Sequence, residues 1–210
     1  MSEDGYRIPD LAPGQRHCAE ETIRGSRFIV TMAHTDSIES AKAFIESVRR
    51  EHADATHNCW AYQASKPETT AQIGASDDGE PKGTAGRPML TVLLHCGVGE
   101  VSAVVTRYFG GTLLGTGGLV RAYQGLVKLG LETLPTRVKV PSEILVVSIE
   151  HRFFNHVESI VEKCGGRILN KAFASNVEVT VEIALEAKQR LVQQISQACA
   201  GRVAIATLEK

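Results

Sequence analysis

The sequence predicts an α+β protein made of two domains, the second of which is ferredoxin-like. Its 210 residues, 43% of them apolar and 22% charged, suffice for two hydrophobic cores. In some segments apolar residues recur at every second position, as in strands, and in others they recur about every 3.6 residues, as in helices. The last third of the chain shows the order strand, helix, strand, strand, helix, strand, which is the ferredoxin-like βαββαβ arrangement.

In the first domain, the periodicities predict a hairpin, a helix, a strand, a helix, a strand and a helix. The hairpin turns at Arg24 and Gly25, and Ser37 is the predicted N-cap of the first helix. The run at residues 101–109 is almost continuously β-branched and aromatic, which predicts a strand covered on both faces and central in its sheet. The predicted strands are 17–23, 26–33, 59–64 and 101–109, and the predicted helices are 38–50, 87–95 and 119–131.

A domain boundary is predicted where two prolines bracket a short basic connector. Pro135 and Pro141 flank this connector, and a new pattern of strands and helices starts beyond it. We therefore predict one domain at residues 1–140 and a ferredoxin-like domain at 141–210. In the second domain the predicted strands are 143–150, 167–174, 177–184 and 202–208, and the predicted helices are 153–164 and 187–199.

Charge and cysteine content exclude several protein classes. The net charge is −1, so neither domain is a polybasic module. The five cysteines are odd in number and widely spaced, which favours reduced, buried thiols over a zinc site or a disulfide scaffold. The N-terminus lacks a signal-peptide pattern, and no run reaches the roughly 18 apolar residues of a membrane span. We expect a cytoplasmic protein with no cofactor and no membrane contact; its oligomeric state is open, with a monomer favoured.

Two glycine-rich loops, at residues 76–86 and 110–118, each run into a predicted helix N-terminus. Such a terminus presents unpaired N–H groups and a positive dipole end, and so favours phosphate. Neither loop has the spacing of a P-loop or of GxGxxG. The segment from Lys82 to Lys128 contains five basic residues and only one acidic residue. The predicted phosphate-binding residues are Lys82, Gly83, Thr84, Gly86, Arg87, Arg107, Tyr108, Gly110, Gly111, Gly115, Gly117, Gly118 and Arg121. Alternatively, the glycines have only a steric role, because the chain makes a tight crossover that packs against the sheet.

The same region shows no clear signature of a metal site or of a catalytic site. Asp77, Asp78 and Glu80 suit Mg²⁺ by residue type, but clustered loop acids are more often solvated or cap a helix, and we predict no metal site. A cation and two aromatics end the strand before the second loop; of these, Phe109 is expected in the core. The histidines are scattered, and no serine or cysteine has a local catalytic signature, so no catalytic residue is predicted.

The two loops with their flanking residues resemble motifs of the YigZ/IMPACT family. The resemblance is carried by VVTRYFGGTLLG at residues 104–115 and SDDGEPKGTAGRPML at 76–90, and it extends over the whole chain. It implies a first domain folded like the second domain of a small-subunit ribosomal protein, and a tail similar to the family's bacterial C-terminal domain. It also implies a general link to translation or RNA, because the related eukaryotic domain is implicated in translational control.

The leading interpretation is a non-catalytic binding protein of RNA or of the translation machinery, which receives phosphates at both helix N-termini. One alternative is a small enzyme that acts on a phosphorylated ligand or nucleotide. Another is an adaptor for protein partners, which uses the ferredoxin-like sheet and the aromatic strand end as its interface.

Overall fold

A computed structural model describes residues 5–208 of the chain. These residues divide into two compact units, Tyr6–Lys139 and the segment from Val140 onward. No helix within residues 5–208 combines the length and the apolar character needed to cross a membrane. The mixture of helices and antiparallel sheets confirms the predicted α+β class.

The N-terminal unit is built on a five-stranded antiparallel sheet with strand order β2-β3-β6-β4-β5. The middle strand, β6, is buried along nearly its whole length, which confirms the prediction of a central strand covered on both faces. It is covered because helices pack on each side of the sheet. The strands of this unit are β1 Tyr6–Pro9, β2 His17–Ile23, β3 Ser26–His34, β4 His57–Gln63, β5 Ile73–Ser76, β6 Val101–Tyr108 and β7 Thr136–Lys139.

Three helices complete the N-terminal unit: α1 Ile38–Glu51, α2 Gly86–Leu94 and α3 Thr116–Thr133. Helix α1 starts at a capping box formed by Ser37 and Ser40 and lies alone on one face of the sheet. Helices α2 and α3 pack on the other face around the larger core. Both helices enter the fold directly after a glycine-rich loop, as the sequence predicted.

A second, two-stranded sheet pairs β1 with β7 and was not predicted. The segment that we expected to be a basic connector forms β7. Its partner lies near the other end of the unit in sequence, so no local pattern signals the pairing. Glu100, buried between the sheets, accepts hydrogen bonds from Tyr6 Oη at 2.6 Å, His34 Nε2 at 2.8 Å and Lys139 Nζ at 2.6 Å. Burial would raise the pKa of Glu100, but these bonds outweigh burial and lower it to about 2.

The C-terminal unit is a four-stranded antiparallel sheet of order β11-β8-β10-β9 with two helices on one face. This confirms the predicted ferredoxin-like arrangement. Alternate residues of β10 point into the core, and the intervening Glu178, Thr180 and Glu182 lie on the opposite face. The elements are β8 Ser142–Ile149, α4 Phe154–Lys163, β9 Arg167–Phe173, β10 Val177–Ala184, α5 Leu185–Ala198 and β11 Val203–Leu208.

Candidate functional site

In the first glycine-rich loop, the carboxylate of Asp77 caps the N-terminus of α2, the helix that follows the loop. Asp77 accepts backbone hydrogen bonds from Gly83 at 2.7 Å, Ala85 at 3.0 Å and Gly86 at 2.8 Å, all at the start of α2. Partial burial would raise the pKa of Asp77, but these bonds outweigh it and hold the pKa below its usual value. The N–H groups that we expected to receive phosphate therefore already bind an anion, the carboxylate of Asp77.

The remaining predicted contacts of the first loop divide into buried and exposed residues. Thr84 is buried, and its hydroxyl donates to the carbonyl oxygen of Pro81 at 2.7 Å, so it is not available to a ligand. Gly86 lies so close to the backbone of Ser76 that a Cβ would come within 2.6 Å of it. Lys82 and Arg87 are exposed on the surface.

The three acids of the first loop point in different directions. Asp78 accepts from Arg49 Nη2 at 2.9 Å and from the backbone N–H of Asn58 at 2.7 Å. Glu80 turns inward and is buried, whereas Asp77 caps α2. Within residues 5–208, no three His, Cys, Asp or Glu side chains are grouped so that they could hold a metal ion.

The second glycine-rich loop leaves its helix N-terminus open. Gly115 is the N-cap of α3, with φ at 73°, and no side chain caps the helix. Gly117 in the first turn needs no glycine for packing, because an added Cβ would meet only Arg121 Nη1 at 3.9 Å. Gly111, Gly115 and Gly117 are exposed, and Gly118 is half-buried. Because helix α3 begins at Thr116, Gly117 and Gly118 belong to the helix and not to the loop.

Gly110 has a steric role, as the alternative interpretation of the glycines anticipated. A Cβ at this position would lie 1.9 Å from the carbonyl oxygen of Gly25, in the hairpin turn between β2 and β3. The backbone N–H of Gly110 also donates to Ser26 Oγ at 3.1 Å. Two backbones thus cross here at a distance that only glycine permits.

Arg107 is buried, with 5% of its surface exposed, and its charge is matched by Glu80. Its Nη1 donates to Glu80 Oε1 at 2.6 Å, and Tyr123 Oη donates to the same oxygen at 2.9 Å. The guanidinium lies between the rings of Phe28 and Phe109, 5.3 and 5.4 Å from their centroids. We expected Arg107 to offer a free positive charge, but its neighbours already neutralise that charge.

Tyr108 lies on the opposite face of the sheet from Arg107, since successive side chains of a strand alternate. Its hydroxyl donates to Asp54 Oδ1 at 3.2 Å and lies 2.9 Å from His52 Nδ1, beside α1. The two residues therefore do not contact one ligand together.

The two loops meet at a cavity of about 400 Å³ on the α2 and α3 face of the sheet. Its floor holds Glu80, Arg107 and His57, and its rim includes Gly115 and Thr116 at the start of α3. Apolar side chains form the mouth: Phe109 is 46% exposed and Leu113 81% exposed. Phe109 was expected in the core; as the residue after the last residue of β6, it instead lies at the surface. We refer to this space as the loop cavity.

A groove of about 340 Å³ adjoins the loop cavity, because Leu114 contributes to the walls of both. Arg24 and Arg121 line this groove together with Glu21 and Gly118. Arg24 and Arg121 are exposed, and neither forms an ion pair within the described part of the chain. We refer to this surface as the arginine groove.

Sequence reasoning missed four residues of the site: Arg24, His57, Glu80 as a partner of Arg107, and Tyr123. The alternation of β6 could have indicated that Arg107 faces the buried side and needs an acid, but not which acid. Tyr123 lies on the predicted buried stripe of α3, where its hydroxyl requires a partner. Nothing local in the sequence connects His57 to either loop, since these segments meet only in the folded sheet.

The thiol near the cavity is not a nucleophile at neutral pH. Cys59 is buried and donates to the carbonyl oxygen of Asp77 at 2.9 Å and to Tyr123 Oη at 3.3 Å. Burial raises the pKa of Cys59 to about 12, and burial also raises the pKa of Tyr123. The site offers hydrogen-bonding groups and a helix terminus, but its thiol stays protonated.

Comparison with known families assigns both units. The Impact N-terminal domain matches residues 24–131, which include both glycine-rich loops and nearly all of α3. The chain belongs to the IMPACT family. A domain of unknown function, DUF1949, matches residues 147–202 of the C-terminal unit, so the IMPACT-family assignment and the predicted resemblance agree.

Individual members of the IMPACT family align over most of the chain. IMPACT family member YigZ of Escherichia coli (strain K12) is 47% identical over 82% of this chain and 85% of its own length. An IMPACT family member of Haemophilus influenzae is 40% identical over 95% of this chain and 97% of its own. The crystal structure of a hypothetical protein, 40% identical, superposes with a TM-score of 0.72 and covers 99% of this chain and 98% of its own.

Proposed function

We propose that this chain is a non-catalytic binding protein of RNA in the translation machinery, and that it receives RNA phosphates at the N-terminus of α3 and in the arginine groove. Membership of the IMPACT family fits translation-related regulation. The observation that carries the RNA proposal is the contrast between the two helix N-termini. The start of α2 holds Asp77, whereas the start of α3 is exposed and uncapped.

Several features support phosphate binding at α3. The first turn contains Gly117, whose lack of a side chain lets a ligand approach the backbone N–H groups closely. Arg121 lies about one turn further along α3, and Arg24 lines the same groove from the hairpin turn. Arg24 and Arg121 form no ion pair among residues 5–208, and two such cations beside a positive helix end favour an anion over a neutral ligand.

The RNA site is proposed on the N-terminal unit, and not on the outer face of the sheet in the C-terminal unit. On that face β10 presents Glu178 and Glu182, and Arg167 donates to Glu182 at 2.9 Å. Carboxylates repel phosphates, and single-stranded RNA platforms use aromatic and basic residues instead. We therefore propose that the C-terminal unit contacts a protein partner, and that RNA binds the other unit.

The enzyme alternative keeps its motivating glycines but loses its motivating acids. It relied on Asp77, Asp78 and Glu80 to hold Mg²⁺ beside a nucleotide, but these acids cap a helix, pair with Arg49 and pair with Arg107. Phosphate binding at the start of α3 requires none of them to be free.

The test is the salt dependence of RNA binding, measured by fluorescence anisotropy with a labelled single-stranded RNA. For the wild-type chain we expect log K to fall with log salt by about 0.7 per neutralised phosphate. The double variant Arg24→Gln/Arg121→Gln should have a shallower slope, whereas the control Lys42→Gln, an exposed cation on α1, should match the wild type. Affinity that does not change with salt, or equal slopes in all three proteins, would contradict the proposal.

A further inference from the structure

The floor of the loop cavity presents two hydrogen-bond acceptors side by side. His57 Nδ1 lies 2.8 Å from the carbonyl oxygen of Asp78. Because a carbonyl can only accept, Nδ1 carries the proton, and Nε2 of the neutral ring keeps a lone pair. Nε2 lies 3.9 Å from Glu80 Oε2.

Glu80 Oε2 has no donor of its own among residues 5–208. Arg107 and Tyr123 both donate to the other carboxylate oxygen, Oε1. The side chain of Glu80 is only 3% exposed and lines the loop cavity, so a donor that enters the cavity can bind Oε2. Two neighbouring acceptors without donors suit a ligand –NH₂ group, which carries two N–H bonds.

Arg107 also lines the loop cavity and carries one donor without a partner among the described residues. Its Nε–H is buried and has no acceptor within the described chain, although Nη1 and Nη2 have partners. A ligand that places an acceptor next to its amino group would satisfy this donor as well. The Watson–Crick edge of cytosine has this order of groups, with the N4 amino group followed by N3 and O2.

The walls and rim of the loop cavity suit a base attached to a phosphate. Phe109 and Leu113 are exposed apolar side chains at the mouth, where a base ring can stack. Gly115 and Thr116, at the open start of α3, lie on the rim of the same cavity. Its volume of about 400 Å³ falls within the range of small-ligand sites.

We propose that the loop cavity binds an unstacked, amino-bearing base of the RNA strand whose phosphates contact α3, and that it selects cytosine over uracil. This inference rests on the proposed RNA-binding function. Uracil has the size of cytosine but carries a carbonyl oxygen in place of the amino group. It would set an acceptor against His57 Nε2 and Glu80 Oε2, and this repulsion gives the selectivity.

The test compares oligocytidylate with oligouridylate of equal length, which carry the same charge and differ at the base. We expect the wild-type chain to bind oligocytidylate about tenfold more tightly, with equal salt slopes for the two RNAs. The variant His57→Phe removes one of the two acceptors and should reduce this preference. Equal binding of the two RNAs, or an unchanged preference in His57→Phe, overturns the inference but leaves the proposed function standing. If neither RNA binds, both are overturned.

A second measurement needs no variant. The imidazole ¹⁵N signals of His57 can be followed while cytidine monophosphate or uridine monophosphate is added to the full chain. We expect cytidine monophosphate to shift the Nε2 signal at concentrations where uridine monophosphate does not. Equal shifts with both nucleotides, or no shift with either, would overturn the inference.

Discussion

The two glycine-rich loops of the N-terminal unit look alike in sequence but differ in what they leave available. The first loop directs Asp77 to the start of α2 and Glu80 into the core. The second loop has no acidic residue, and the start of α3 remains uncapped. A glycine-rich loop before a helix thus indicates an anion site, but the loop's own acids decide whether the anion is internal or external.

This difference separates stability from binding in a testable way. Changes to the first loop and its partners should lower the free energy of unfolding, because their charges are satisfied inside the molecule. Changes at the start of α3 should affect RNA binding and leave the fold intact.

The largest effect is expected from Arg107→Met, which leaves the Glu80 carboxylate buried without its cation. Breaking a buried ion pair on one side costs about 3 to 5 kcal/mol, measured as the free energy of unfolding in urea. The double variant Arg107→Met/Glu80→Gln removes the uncompensated charge and should recover most of that loss. A single variant as stable as the wild type would show that the pair contributes nothing.

The next effect is expected from Asp77→Ala, which empties the N-terminus of α2. The loss of three backbone hydrogen bonds to a carboxylate should cost about 2 to 3 kcal/mol. Inorganic sulfate should then stabilise the variant more than the wild type, because it can occupy the vacated N–H groups. The control Asp36→Ala, at an exposed acid before α1, should show neither effect.

The same variant predicts a change in pH dependence. The pKa of Asp77 is lower in the folded chain than its ordinary value near 3.8. Its contribution is therefore fully present above that value and is lost as the pH falls through the lower, folded pKa. Asp77→Ala should flatten this part of the stability profile in acid urea titrations; a profile parallel to that of the wild type would argue against the cap.

The sequence predicted the larger elements well because their hydrophobic periodicity is local. It did not predict β1, β5 and β7, each of which has only four residues. β5 is an edge strand of the five-stranded sheet, and β1 and β7 pair with each other although they are far apart in sequence. The sequence pointed to the two loops as the candidate site, and their role in binding stays a prediction. The partners of Arg107 and the role of His57 depend on contacts between segments far apart in the chain, which no single periodicity reveals.

A smaller effect is expected from Gly117→Ala in the first turn of α3. Alanine should stabilise the chain by about 0.5 to 1 kcal/mol, because space is open around this position and alanine favours helix. The added methyl group should nevertheless weaken RNA binding severalfold by keeping phosphate from the backbone. The control Gln189→Ala, at an exposed position of α5 in the C-terminal unit, should leave RNA binding unchanged. Equal RNA affinity of the two variants would count against a phosphate at α3.

The smallest effect is expected from the double variant Lys82→Gln/Arg87→Gln, which removes the exposed cations of the first loop. Both were predicted as phosphate contacts, but they flank a helix N-terminus that already holds Asp77 and do not line the loop cavity. They should attract RNA only at long range, so the salt slope should change less than in Arg24→Gln/Arg121→Gln. Each pair removes two positive charges, which makes the comparison of anisotropy titrations direct. A larger change from the first-loop pair would place the RNA on α2 and reverse the assignment of the two loops.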